Sequence, residues 1–200
     1  RNLGCTAGGV CGKSNDTACY QDAVNFVLSG IAYRRIHQPK GAKIPANTSA
    51  QDTFVVEALF ATLTNVNFDE SRFDAYLKKA IAYRDAYPQI PGEPKACSWV
   101  PKSREDIITL DGGIGLLSIE DPNERSLFSL LLFALKGMCA YYSHAEVLGK
   151  TDPAIVNFIY KGLASRFEKH SFGERAALVM ESGAVGVKVL ALLDSANKRY

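Results

Sequence analysis

Apolar residues that recur every three or four positions constrain this chain more than any other feature. Tyr20, Ala23, Val24, Val27, Gly30 and Ile31 line one stripe, and a period near 3.6 predicts an amphipathic α-helix over about 17–35. Phe73, Tyr76, Leu77, Ala80 and Ile81 repeat the pattern. Ser49 with Asp52 predicts a capping pair for a helix running to Thr62, and Asp69 predicts the cap of a third, with Phe68 and Phe73 placed as a hydrophobic staple. The third helix must stop by Tyr87, because Pro88, Pro91 and Pro94 follow it.

From Pro88 to about Asp121 the period is lost among four prolines and the run Asp111-Gly112-Gly113-Ile114-Gly115, and the short apolar run from Ile114 to Ile119 reads as a strand or a buried loop. Helical patterning then resumes. Asp121-Pro122, with Glu124 close behind, starts a helix that should reach Gly149; Asp152-Pro153 opens the next, and Glu174 to Asp194 gives the last. Gly30 and Gly137 hold equivalent places in the two halves, and Glu57-Ala58-Leu59-Phe60-Ala61 parallels Lys161-Gly162-Leu163-Ala164-Ser165. The chain therefore reads as all-α: a loop over 1–16, a three-helix bundle over 17–87, a Pro/Gly-rich connector over 88–121, and a second three-helix bundle in tandem over 122–200. Glycine inside a helix costs about 1 kcal/mol relative to alanine, so Gly30, Gly137, Gly183 and Gly186 predict points of close helix–helix approach.

With 47% hydrophobic and 22% charged residues, the chain can bury a core and is no disordered tail. Its formal net charge of +2 is scattered, which argues against a nucleic acid or an anionic membrane as partner. Unbroken apolar runs are interrupted by Lys136 and Lys188, so no membrane span is expected. Five cysteines, an odd number, do not read as a disulfide framework, and with no signal peptide visible the expected setting is the reducing cytoplasm. Asn15 and Asn47 match the N-glycosylation pattern, as chance readily produces. The chain holds no G-x-S-x-G, no P-loop, no H-E-x-x-H and no dinucleotide fingerprint.

Chemistry concentrates at the start. Gly4-Cys5-Thr6-Ala7-Gly8-Gly9-Val10-Cys11-Gly12-Lys13 places two cysteines in a glycine-rich, proline-free loop, a setting whose backbone N–H groups can point at sulfur and tune an iron–sulfur cluster. Two thiolates do not complete such a site, which ordinarily takes four. Cys19 and Cys139 lie within helical patterns and read as core residues. Cys97 stands beside Trp99 in the connector with nothing nearby to activate it. His144, without a second ligand one turn away, reads as a hydrogen-bonded structural residue, and Asn65 and Asn67 read as a helix stop and a turn.

The stretch Gly4 to Lys13 followed by Tyr20-Gln21-Asp22-Ala23-Val24-Asn25-Phe26-Val27-Leu28-Ser29-Gly30 resembles the amino terminus of the hybrid cluster proteins, the prismane-type hydroxylamine reductases. So do Leu59 to Asp69, Leu135-Lys136-Gly137-Met138 with His144 to Gly149, and Ala191-Leu192-Leu193-Asp194, in the family's order. The resemblance implies that Cys5 and Cys11 are the last two ligands of a 4Fe-4S cluster, with a C-x2-C pair expected just upstream of Arg1. It implies a second, hybrid iron–sulfur–oxygen cluster in later domains. It also implies a redox partner protein as electron donor, and hydroxylamine or nitric oxide as the substrate of the intact protein. These 200 residues would be the part where electrons enter, inactive alone; the competing reading is a cluster-free helical scaffold or interaction module derived from the same family.

Overall fold

The computed structural model describes residues 12–45, 48–110 and 113–198. Cys5, Cys11, Asn47 and Asp111-Gly112 lie outside the described residues. Seven α-helices make up the framework: α1 (Asn15–His37), α2 (Ser49–Ala61), α3 (Glu70–Asp85), the short α4 (Arg104–Ile108), α5 (Pro122–Val147), α6 (Pro153–Ala164) and α7 (Phe172–Asn197), with no β-strand among the described residues. The all-α expectation holds.

The helix starts follow the capping chemistry in most places. Ser14 accepts from the Thr17 amide at 3.0 Å, and Asp69 accepts from the Ser71 and Arg72 amides. Asp121 and Asp152 cap α5 and α6 ahead of a proline in the first turn, while Ser171 and Glu174 form a reciprocal box at α7. α2 departs from the expectation. Its cap position is Thr48, with no side-chain cap bond, and Asp52 pairs instead with the Arg35 guanidinium and accepts from the Tyr160 hydroxyl at 2.9 Å. Of the expected staple, Phe73 is buried in the core, whereas Phe68 stays half exposed with the Lys13 ammonium 5.9 Å from its ring centre.

α1 is the hub. It packs on α2, α3, α4, α6 and the turn at Lys95–Cys97, so its polar residues Thr17, Gln21, Asn25, Ser29 and Arg34 are buried along with its apolar ones. A helix surrounded on all sides has no solvent face. The apolar stripe read from the sequence is thus one contact surface of several.

The two helical sets interlock. α1 lies on both α3 and α6, α2 packs on α5, and α5 pairs with α7, so one cluster of buried residues runs from Val24, Leu59 and Leu77 to Leu135, Ile159 and Val189. The division into tandem bundles describes chain order, and the packing has no seam at the connector. Residues 88–121 are part of the core: Ala96, Cys97, Trp99, Ile107 and Ile114 are buried, and Trp99 meets Phe26 of α1 edge to face at 6.0 Å. The apolar run after Ile114 forms a single 3-10 turn at Leu116–Ser118. It forms no strand among the described residues.

Two glycine expectations separate. A Cβ on Gly30 would lie 2.3 Å from the Ala96 carbonyl oxygen, so Gly30 marks where α1 meets the 95–97 turn. A Cβ on Gly137, Gly183 or Gly186 would meet nothing within 4 Å, and those three glycines form no close approach among the described residues. They floor an open apolar groove between α5 and α7. Both helices are long and apolar enough to cross a membrane by length and composition, with 44% of the α5 window and 22% of the α7 window buried in the fold. Two such helices do not overturn the expectation of no membrane span, because helices that pack into a folded core pass the same test of length and composition.

Candidate functional site

The chain enters the described fold at the amino-terminal end of α1, where the cysteine-bearing loop joins it. Lys13 donates to the Gln21 side chain at 2.8 Å, Gln21 donates in turn to the Asn67 carbonyl at 3.4 Å, and Thr17 donates to the Phe68 carbonyl at 3.4 Å. The turn between α2 and α3 is thereby laid against the first turns of α1. Asn67 closes that turn through its own side chain, which accepts from the Asp69 amide at 2.8 Å. Cys11 stands two residues ahead of Lys13 in the sequence.

One turn further along α1, Asp22 gathers a group of cations that the sequence reading passed over. Its carboxylate lies against Gly115, 3.3 Å from where a Cβ would stand. Lys136 reaches in from the middle of α5, is only 6% exposed, and donates to the Thr62 carbonyl at the end of α2 at 3.2 Å. Burial pushes the Lys136 ammonium down to about 8, with Asp22 opposing the shift and Lys13 adding to it. Arg166 donates to the Ile114 and Gly115 carbonyls at 2.9 and 3.2 Å and stacks its guanidinium over Phe26, 4.9 Å from the ring centre. A lysine inside an apolar run was visible in the sequence as Leu135-Lys136-Gly137. What it meets there was not visible, since Thr62 and Asp22 are remote in sequence.

The other cysteines are held as thiols inside the framework. Cys19 donates to the Ile108 carbonyl at 3.2 Å, and Cys97 to the Gly30 carbonyl at 3.6 Å. Burial drives the Cys97 thiol up to about 12 and the Cys139 thiol higher still. At neutral pH this lowers the thiolate fraction of Cys97 about a thousandfold. Alkylation of the native chain with iodoacetamide, followed by peptide mass spectrometry, should therefore leave Cys97 and Cys139 unmodified until denaturant is added. Labelling of either at the rate of an ordinary exposed thiol would contradict the packing.

His144 is corrected in part. It is exposed at the end of α5 with its ring 6.1 Å from Phe60 and makes no side-chain hydrogen bond among the described residues. The neighbouring Glu146 is the residue that bonds across, accepting from Thr53 at 2.7 Å. A pair of histidines escaped the sequence reading: the two oxygens of Glu168 meet His37 at 2.8 Å and His170 at 3.2 Å, fastening the end of α1 to the 165–170 turn. No group of three or more His, Cys, Asp or Glu side chains is arranged to hold a metal among the described residues.

Comparison with known proteins accords with the segments identified above. The chain is 39% identical over 207 residues to a hydroxylamine reductase of Desulfitobacterium hafniense, covering 98% of this chain and 37% of that protein. It is 38% identical over 212 residues to the hydroxylamine reductase of Halothermothrix orenii, covering 98% and 38%, and 37% identical over 202 residues to that of Methanosarcina mazei, covering 98% and 36%. The chain spans little more than a third of the length of these relatives. The match to the family extends over residues 1–200 without a break, and on that coverage the chain belongs to the Prismane/CO dehydrogenase family.

Proposed function

We propose that this chain is the amino-terminal part of a hydroxylamine reductase, the part where electrons enter through an iron–sulfur cluster held by Cys5 and Cys11. The observation that carries the assignment is the fate of the other three cysteines. Cys19, Cys97 and Cys139 are buried, and the first two donate to backbone carbonyls, which supports Cys5 and Cys11 as the thiolates of this reading. The relatives' name supplies the reaction, and their length supplies room for the remaining parts. Two more thiolates would come from ahead of Arg1, completing the four that a cubane cluster takes.

Hydroxylamine reduction to ammonia consumes two electrons and two protons and releases water. In this reading the later domains carry the hybrid cluster at which that occurs, with nitric oxide as the other candidate substrate and a redox protein as donor in the cytoplasm. The loop over 1–16 and the helices over 17–87 and 122–200 then divide the labour: the loop ligates, and the helical framework holds the loop in place.

Substitution of Cys5 or Cys11 by Ser in the intact protein tests this, with iron and acid-labile sulfide measured after anaerobic purification. A hard alkoxide is a poor replacement for thiolate on iron, so either change should lose or convert the cluster, while Cys139→Ser leaves the iron content unchanged. Iron loss of equal size at all three positions would show general unfolding and remove the assignment.

A further inference from the structure

One side of α7 packs on nothing among the described residues. Its buried residues, Arg175, Leu178, Ser182, Val185 and Val189, recur at three- and four-residue spacing and face α5 and α6. Glu174, Glu181 and Lys188 recur every seventh residue and share one flank, where Lys161 of α6 bonds Glu181 at 2.7 Å. The other side, Met180, Gly183, Ala184, Val187, Leu190 and Ala191, is exposed and carries no charge over about 17 Å of helix. α5 presents a stripe of the same kind: Leu130, Phe133, Gly137 and Tyr141 share a face by their spacing, and buried Lys136 is the one Lys, Arg, Asp or Glu between Arg125 and Glu146. The groove between the two helices holds about 320 Å³, room for roughly ten waters. Its Ser182 hydroxyl already donates to the Val179 carbonyl at 2.6 Å, so water there finds few partners. Single exposed apolar residues need no explanation, but a contiguous uncharged face does.

We infer that this α5–α7 face is an internal interface of the intact protein, covered by apolar side chains of the part that follows Tyr200. The inference rests on reading the chain as the amino-terminal part of a longer protein. Three observations choose that occupant over a second copy or a lipid surface. The match spans 37% of the Desulfitobacterium hafniense relative, which leaves well over half of such a protein to be packed against something. α7 ends at Asn197, so whatever follows is tethered to one end of the face itself. Tethering supplies an effective concentration in the millimolar range, which a separate copy lacks. A lipid surface fits poorly, because the charged flank of α7 sets Glu174 and Glu181 beside Lys188 with no excess of cations, and Trp99, the one tryptophan, is buried.

Hydroxyl-radical footprinting of the intact, anaerobically purified protein tests this on the natural sequence. These 200 residues hold two methionines, Met138 at 4% exposed and Met180 at 77%. If the face is covered, Met180 should be oxidised at least about tenfold more slowly than in the urea-unfolded protein, as Met138 is. What covers it is read by a photo-cross-linking benzoyl-phenylalanine in place of Val187, which should give a product of monomer mass joining α7 to a peptide beyond Tyr200. A product of doubled mass, a product joined only to residues within 1–200, or a Met180 oxidised at the unfolded rate overturns the inference. Should the Val187 variant fail to fold, the Met180 footprint of the natural protein decides. Intact mass and iron content keep the readings apart. A natural chain that ends at Tyr200 removes the amino-terminal reading and this inference with it, whereas a longer chain with an open Met180 removes this inference alone. An iron-free protein that still gives the cross-link removes the ligation reading and leaves the interface standing.

Discussion

Alanine at Gly30 should destabilise the fold by about 3 kcal/mol, near the upper end of what overpacking costs, although alanine is the better helix former. The new Cβ would sit 2.3 Å from the Ala96 oxygen and 2.7 Å from its carbonyl carbon. Both belong to backbone that cannot swing aside as a side chain would. α1 and the 95–97 turn must separate, and with them go the Cys97 thiol bonded to the Gly30 carbonyl and the Trp99 ring against Phe26. The paired control is Gly137→Ala, where no atom lies within 4 Å of the added methyl, and which should be neutral or stabilising by up to about 1 kcal/mol. Urea denaturation of the two variants measures both. Equal effects would mean that the approach of α1 to the connector is looser than described.

The second large effect is expected at Arg34. Its guanidinium is 2% exposed and grips Glu93 with two bonds, 2.9 Å from Nε and 2.5 Å from the terminal nitrogen, while also donating to the Arg84 and Tyr87 carbonyls. Arg34→Met should cost about 3–5 kcal/mol, because a carboxylate and two carbonyls lose their donor in a place that water reaches poorly. The pH dependence fixes the sign. The Arg34 hydrogen bond, followed by weaker contributions, holds the Glu93 carboxyl below its ordinary range, so its stabilising contribution is complete above the unfolded value near pH 4.3 and is lost as pH falls through the lower folded one. In Arg34→Met the half-buried Glu93 carboxylate keeps the Ile90 amide at 3.0 Å but loses its guanidinium, and its range rises. Unlike wild type, that variant should gain stability between pH 7 and pH 5, and Glu93→Leu added to it should recover much of the loss. Thermal melts across that interval are sufficient. A variant whose stability does not rise on acidification across that interval would show that Glu93 finds another partner.

Arg34 also shows how far sequence reasoning reaches. Pro88, Pro91 and Pro94 correctly end α3, and a segment so rich in proline forms no long helix of its own. Whether it hangs between two bundles or packs into one core depends on Arg34 and Arg84 collecting its carbonyls and on Glu93 returning the charge. Arg84 donates to Ala96 at 3.2 Å and Trp99 at 2.6 Å. Those partners are separated by 12 to 59 residues, and no local pattern announces them. For the same reason Asp52, whose spacing from Ser49 suits a cap, serves Arg35 and Tyr160.

The sequence by itself determined the helical class and the starts of most helices, because periodicity and capping are written over a few adjacent residues. Only the tertiary structure decided that α1 is buried all round, that the two helical sets share one core, that Gly30 is in contact while Gly137, Gly183 and Gly186 are open, and that Lys136 meets Thr62 near Asp22. Each of those depends on which surfaces meet after the chain has folded back on itself. That choice rests on the complementary shape and charge of elements far apart in sequence, and no window along the chain contains both partners.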